Sequence, residues 1–253
     1  MVKGLEIFRE HFRLLADRYL LIGGTACDLA MNAAGVEFRA TKDLDIVLCV
    51  ETLDAAFVTA FWEFVRAGGY QARRKEMGGR QCYRFQNPTD ADYPSMLELF
   101  TRKPDLLDLP EGAHLTPIPM GDEVSSLSAI LMEDDYYRFI QGGRKSAEGL
   151  TYLGPEHLLP LKARAWLDLT ARTAEGQPAD GRDVRKHGND VYRLYQILDP
   201  DFAGDVPETV RHDLRNFVTR MRDETIDLKA LGVRGADRDS ILEEIRRIYR
   251  LGT

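Results

Sequence analysis

Three acidic residues give this chain its most specific chemical signal. Asp43 and Asp45 stand one residue apart in "DLDIVL", and Glu98 lies in "MLELF". Residues i and i+2 of a strand share a face, so the pair presents two carboxylates to one side. Two such anions repel and raise each other's pKa unless a cation bridges them. Mg²⁺ (or Mn²⁺) suits the pair, since it binds one or two carboxylates and completes its shell with water and substrate phosphates. A third acid on a neighbouring strand allows two ions about 3.5–4 Å apart, the arrangement used for in-line phosphoryl transfer. Glu98 is the acid placed for that. A surface strand with its polar face in water would also carry Asp-x-Asp, but the apolar "IVLCV" that follows Asp45 argues for a buried strand.

A glycine turn precedes the acids. In "YLLIGGTACDL" an apolar run ends at Gly23-Gly24-Thr25 and a helical pattern begins. Glycines at such a strand-to-helix turn let backbone N–H groups approach phosphate oxygens, and the helix start favours negative charge. The Thr25 hydroxyl would add a donor. Alone, a Gly-Gly after a strand is most often a tight turn; before an acidic pair on the next strand it gains weight.

The elements that must position these residues can be read from hydrophobic period. Leu5, Phe8, Phe12, Leu15 and Tyr19 recur at helical spacing, which predicts an opening amphipathic helix. "YLLIGG" and "DLDIVLCV" read as strands, with a helix between them ending at Gly35. Residues 52–67 read as a helix, "YQARRKEMGGRQCYRFQ" as a hairpin across Gly78-Gly79, and "SMLELFT" as a strand. This alternation predicts an α+β fold, a mixed sheet flanked by helices over about the first 115 residues. Further on, "TPIPMGD" reads as a turn-rich link, and "SSLSAILM" and "GLTYL" as short strands. A long helix is predicted from Pro155 to about Arg172, and "TAEGQPADG" as a hydrophilic loop. From Asp183 the pattern is almost wholly helical, ending in "DSILEEIRRIYRL" with a Ser240/Glu243 capping box. The expected division is residues 1–150 as the α/β domain and 151–253 as a helical domain closing the active-site cleft. Trp62 and Trp166 fall at core positions, and helix-start hydrogen bonding suffices to explain His157.

Bulk composition bounds the rest. The 253 residues are 44% hydrophobic and 30% charged, the profile of a soluble globular protein. No apolar run approaches the roughly 20 residues of a membrane span, and the N-terminus lacks a signal peptide's apolar core. Three scattered cysteines form no zinc or disulfide pattern, which points to a reducing cytoplasm. The net charge of −7 excludes a generally nucleic-acid-binding surface. Basic residues nonetheless gather in two places. Arg66, Arg73, Arg74, Lys75, Arg80 and Arg84 lie close together, and "GRDVRKHGNDVYR" holds Arg182, Arg185, Lys186 and Arg193. In an acidic chain the two groups favour a polyanionic ligand at a confined site.

The succession of apolar-Gly-Gly, helix and Asp-x-Asp strand resembles the nucleotidyltransferase superfamily that includes DNA polymerase β. The fuller string "IGGTACDL…RATKDLDIVL" is similar to its AbiEii-type branch, toxins of bacterial abortive-infection and toxin–antitoxin pairs. "LGPEHLLPLKARAWLDLTAR" and "VRKHGNDVYRL" are similar to that branch's later motifs. The resemblance implies Lys162 near the nucleotide phosphates, Asp190 as the acid completing the site, and Lys186 as the base before it. It implies NTP as substrate, a divalent metal, and an antitoxin protein as partner. The function expected is transfer of a nucleoside monophosphate from NTP to an acceptor. The basic hairpin makes an RNA (tRNA) end the first choice of acceptor. Small-molecule or protein nucleotidyl transfer, and a non-catalytic nucleotide- or partner-binding role on the same fold, are the alternatives.

Overall fold

A computed structural model describes residues 2–39, 41, 43–48, 55–77, 80–101, 116–117, 133–176 and 180–252. The chain divides into two compact units: residues 1–123 with 144–153, and residues 124–143 with 154–253. The α+β class expected from the sequence is the one adopted.

Among the described residues the first unit is built on an eight-stranded mixed sheet. In chain order its elements are α1 (Leu5–His11), a 3₁₀ turn (Arg13–Leu15), β1 (Tyr19–Ile22), α2 (Gly23–Ala33), β2 (Asp43–Leu48) and α3 (Ala55–Gly68). Then come β3 (Gln71–Met77), β4 (Arg80–Gln86), β5 (Met96–Thr101), β6 (Thr116–Pro117), and the later hairpin β7 (Arg144–Ala147) and β8 (Leu150–Leu153). The strand order is β6-β3-β4-β5-β2-β1-β8-β7. β2 runs parallel to β5 and antiparallel to β1, while β4 is antiparallel to β5.

Alternation along the strands gives the sheet two different faces. Leu44, Leu97 and Phe85 pair across β2, β5 and β4, and all three are fully buried. On this face the Phe85 ring meets Phe61 and Trp62 of α3, at 5.4 and 5.8 Å between centroids. Phe8 of α1 and Phe12, the residue after it, join the cluster through Phe64 and Tyr19. Tyr19 therefore contributes to the core from a strand, not from the opening helix. The helical period of the first residues runs on across the 3₁₀ turn, although α1 itself ends at His11.

The second unit is helical: α4 (Asp134–Gln141), α5 (Pro155–Ala174), α6 (Gly181–Tyr195), α7 (Glu208–Met221) and α8 (Arg238–Ile248). Pro155 occupies the first turn of α5, where its missing N–H costs nothing. Trp166 of α5 packs edge-on against Phe217 of α7. His157 is buried between the rings of Phe139 and Phe202, so packing as well as its helix-start position explains it. Three elements among the described residues escaped the sequence reading: α4, a short helix with three charged residues, β7, a polar strand, and β6, two residues within the stretch read as a turn-rich link. The cap of α8 also differs from expectation. Asp237 accepts from the Ser240 N–H while Ser240 Oγ accepts from the Asp237 N–H, so the box is Asp237/Ser240. The helix begins one turn earlier than Ser240/Glu243 would require, with a carboxylate as its acceptor. "SSLSAILM", the Gly78-Gly79 turn and most of "TPIPMGD" lie outside the described residues.

Candidate active site

The backbone register places the acids. Asp43 and Asp45 are the first and third residues of β2, and Met96 and Glu98 the first and third of β5. The two strands are parallel and in step, with Asp43 opposite Met96 and Asp45 opposite Glu98. On the other side, Ile22, the last residue of β1, pairs with Asp45. A single row across the sheet thus reads Ile22, Asp45, Glu98, Arg84, Arg73, Thr116. Every member of such a row lies on one face, opposite to that of Leu44, Leu97 and Phe85. Asp43 shares this face two residues away.

α2 starts at Gly23, the residue after Ile22, so its N-terminus emerges next to Asp45 in the register. The helix cap is Ile22, whose side chain accepts nothing, and the first turn holds no acid. Its leading N–H groups are therefore not capped from that position. Gly23 has a φ of 65°, in the left-handed region that favours glycine. At Gly24 the constraint is space: an added Cβ would collide with Thr41 Oγ1 and lie 3.0 Å from Thr41 Cβ. Gly23, Gly24 and Thr25 are all buried.

Glu98 is 1% exposed. Its Oε1 accepts from Arg84 Nε at 2.8 Å and lies 2.6 Å from Arg84 Nη2. Sequence reasoning counted Arg84 among the basic hairpin residues. Its role as the partner of Glu98 depends on pairing between β4 and β5, which no local pattern reveals. Arg73, on the same row, belongs to that hairpin too.

In the helical unit, Lys162 of α5 and Asp190 of α6 come together, with Nζ to Oδ2 at 3.3 Å. Both are buried, at 1% and 0% exposure. Arg193 reaches the other oxygen, Oδ1, at 3.3 Å. Lys186 is half-exposed and lies 3.9 Å from Asp183. A second polar cluster went unread in the sequence. Arg164 donates to both oxygens of Asp213 at 2.9 Å and pairs with Asp168 and Glu133, while Tyr136 Oη donates to Asp213 at 2.8 Å. Burial pushes the Asp168 and Glu133 carboxyls up, against the pull of Arg164. The i, i+4 spacing of Arg164 and Asp168 was the available signal.

Among the described residues no three His, Cys, Asp or Glu side chains are gathered as a metal would need. The side chains of Asp43 and Asp45 lie outside the described ones; the backbone register aligns these residues with β5, and carboxylates such as theirs and Glu98's suit Mg²⁺ or Mn²⁺ in kind. No helix among the described residues is long and apolar enough to cross a membrane.

No family model matches the chain, and no curated protein does. Solved structures similar to it include two nucleotidyltransferase-type proteins. An antigenic nucleotidyltransferase-like protein from Paracoccidioides brasiliensis is 16% identical, with 91% of this chain and 93% of that chain covered at a TM-score of 0.39. The Megavirus polyadenylate synthase is 13% identical, with 87% of this chain and 36% of that one covered at a TM-score of 0.40.

Proposed function

We propose that the α/β unit carries a metal-dependent nucleotidyltransferase site, moving a nucleoside monophosphate from NTP to an acceptor hydroxyl. The observation that supports this is the row Ile22–Asp45–Glu98, which sets the start of α2, the acidic strand and a third acid side by side. In this reading an acceptor oxygen bonds to the α-phosphorus as the bond to pyrophosphate breaks, and the acceptor gives up its proton. Glu98 orients that hydroxyl and receives the proton. Asp43 and Asp45, with Glu98 as the third acid, would hold the metal. A bound divalent ion would supply neutralisation of the charge developing on the phosphates. The backbone amides at Gly23 and Gly24, with Thr25, would face the triphosphate at the helix start.

The roles of Lys162, Asp190 and Lys186 rest on the resemblance to the AbiEii-type branch. The pairing of Lys162 with Asp190 makes them one unit, so Asp190 would act by holding Lys162. The acceptor in this reading is an RNA end, with tRNA as the first candidate, because Arg73 and its hairpin neighbours adjoin the acidic row. The biological role would be that of a toxin restrained by a cognate antitoxin.

Incubation with Mg²⁺, α-labelled NTPs and total RNA tests the proposal. Label should enter RNA with the native chain and be lost in Asp43→Asn and in Asp45→Asn. Undiminished labelling by either variant would refute the site. Label entering only small molecules would refute the RNA acceptor.

A further inference from the structure

The helical unit holds a concave site whose wall is largely arginine. A cavity of about 560 Å³ is bounded by Thr219 and Arg222 at the end of α7, by Glu243, Arg246 and Arg247 of α8, and by Gly252. That volume lies in the range of sites for small ligands. The one carboxylate of this wall lies between two of its three guanidinium groups. Arg222 Nη2 donates to Glu243 Oε1, and Arg246 Nε stands 4.0 Å from Glu243 Oε2. Arg246 Nη2 also donates to Gly252 O at 2.7 Å, and Arg247 turns to Glu244 and Pro200 O.

These bonds leave donors over. Among the described residues no acceptor is bonded to Nε or Nη1 of Arg222, or to Nη1 of Arg246 or Arg247. A guanidinium carries five N–H donors in a planar fork that matches phosphate oxygens. The surroundings carry the same sign. Residues 208–222 and 243–252 contain seven arginines against four acids, in a chain of net charge −7. Of those acids Asp213 is buried against Arg164 and Tyr136, Glu208 pairs with Arg211 and Arg215, and Glu244 pairs with Arg247. Arg250, two residues before Gly252, has a φ of 52°, a conformation that helix ends usually give to glycine. Backbone strain of this kind gathers at ligand sites.

We propose that this cavity is an anion site for a diphosphate group, and that Glu243 is the internal anion such a ligand displaces. The side chains of Arg222 and Glu243 are 49% and 58% exposed, and an ion pair so open to water is weak enough to yield. Arginines from two helices suit a ligand with more than one phosphate. A free diphosphate and the diphosphate end of a nucleotide share this chemistry. The whole wall belongs to the helical unit, so the proposal stands apart from the nucleotidyltransferase reading.

Calorimetric titration of the whole chain with pyrophosphate at low salt tests it, in EDTA so that no divalent ion takes part. The native chain should bind, and Arg222→Met and Arg246→Met should each weaken binding about tenfold or more, the loss of a charge-assisted bond. Glu243→Gln should tighten it about twofold or more, because the competing carboxylate is gone. Arg220→Met removes an exposed charge of α7 outside the cavity and should bind as the native chain does. Equal weakening in Arg220→Met would reveal diffuse attraction only and overturn the proposal. A native chain that takes no pyrophosphate would overturn it, as would native affinity in both Arg222→Met and Glu243→Gln. Those two variants break only an exposed pair, so they keep the test decisive if Arg246→Met does not fold. ADP separates the sources. Binding as tight as that of pyrophosphate, and lost in Arg222→Met, assigns a nucleotide's end; preference for pyrophosphate assigns the free anion, and either upholds the site. No readout involves Asp43, Asp45 or Glu98, so failure here leaves the nucleotidyltransferase reading standing.

Discussion

At the scale of single residues the molecule places charge where solvent does not reach it. Lys162 is the clearest case, since on an amphipathic helix a lysine would ordinarily snorkel to water. With 1% exposure and Asp190 at 3.3 Å, it behaves as half of a buried pair. Lys162→Met should take the ammonium partner from buried Asp190 and cost about 3 kcal/mol of stability, visible as a lower urea midpoint. A midpoint within error of the native one would mean that the remaining partners of Asp190, Arg193 among them, suffice. Asp43→Asn should have the opposite sign in metal-free buffer, because it relieves repulsion from Asp45. Its melting temperature in EDTA should equal or exceed that of the native chain. The acids themselves were legible in sequence because spacing along one strand reports their common face. Arg84 was not, since its partner lies on another strand and only the ladder between β4 and β5 aligns the two.

At the scale of elements, periodicity found the strands and long helices whose apolar residues mark a buried face. It overran where the helical pattern of α1 continued through the 3₁₀ turn into Tyr19, and it missed α4 and β7, which are short and rich in charge. Helix starts were harder to read, because Asp237, Asp239 and Ser240 all fall where α8 begins and each offers a capping side chain. The cap that forms has a measurable signature. Bonds from the Ser240 N–H, then from its hydroxyl, hold the Asp237 carboxyl below the usual aspartate range. A group whose folded pKa is lowered contributes stability above its unfolded value, and that contribution is lost as pH falls through the folded one. The cap should therefore act fully above about pH 4 and fade below it. Asp237→Asn keeps a capping acceptor without the titration, so its melting temperature should fall less steeply with acid than the native chain's. Parallel acid limbs for the two proteins would rule this out.

At the scale of the whole molecule, the polypeptide passes between its two units three times. α4 belongs with α5–α8, although β7 and β8 intervene before α5 and join the sheet. A sequence boundary at residue 150 cannot express this, because domain division by composition assumes that each unit is one continuous stretch. The consequence for fragments is specific. Residues 151–253 lack Tyr136 and Glu133, which leaves Asp213 and Arg164 with fewer partners. A fragment of residues 133–253 retains them and should melt at a higher temperature than 151–253. Equal melting temperatures would show α4 to be dispensable to the helical unit.

The close approach of Gly24 to Thr41 has a consequence for descent. The first turn of α2 and Thr41, two residues before β2, compete for one volume, and a Cβ at position 24 would have to displace the Thr41 side chain. The two positions should therefore drift together among related chains, a serine or alanine at the first accompanied by a smaller or reoriented residue at the second. A chain that enlarged both while keeping the Asp-x-Asp strand would have to hold the glycine turn and the acids farther apart.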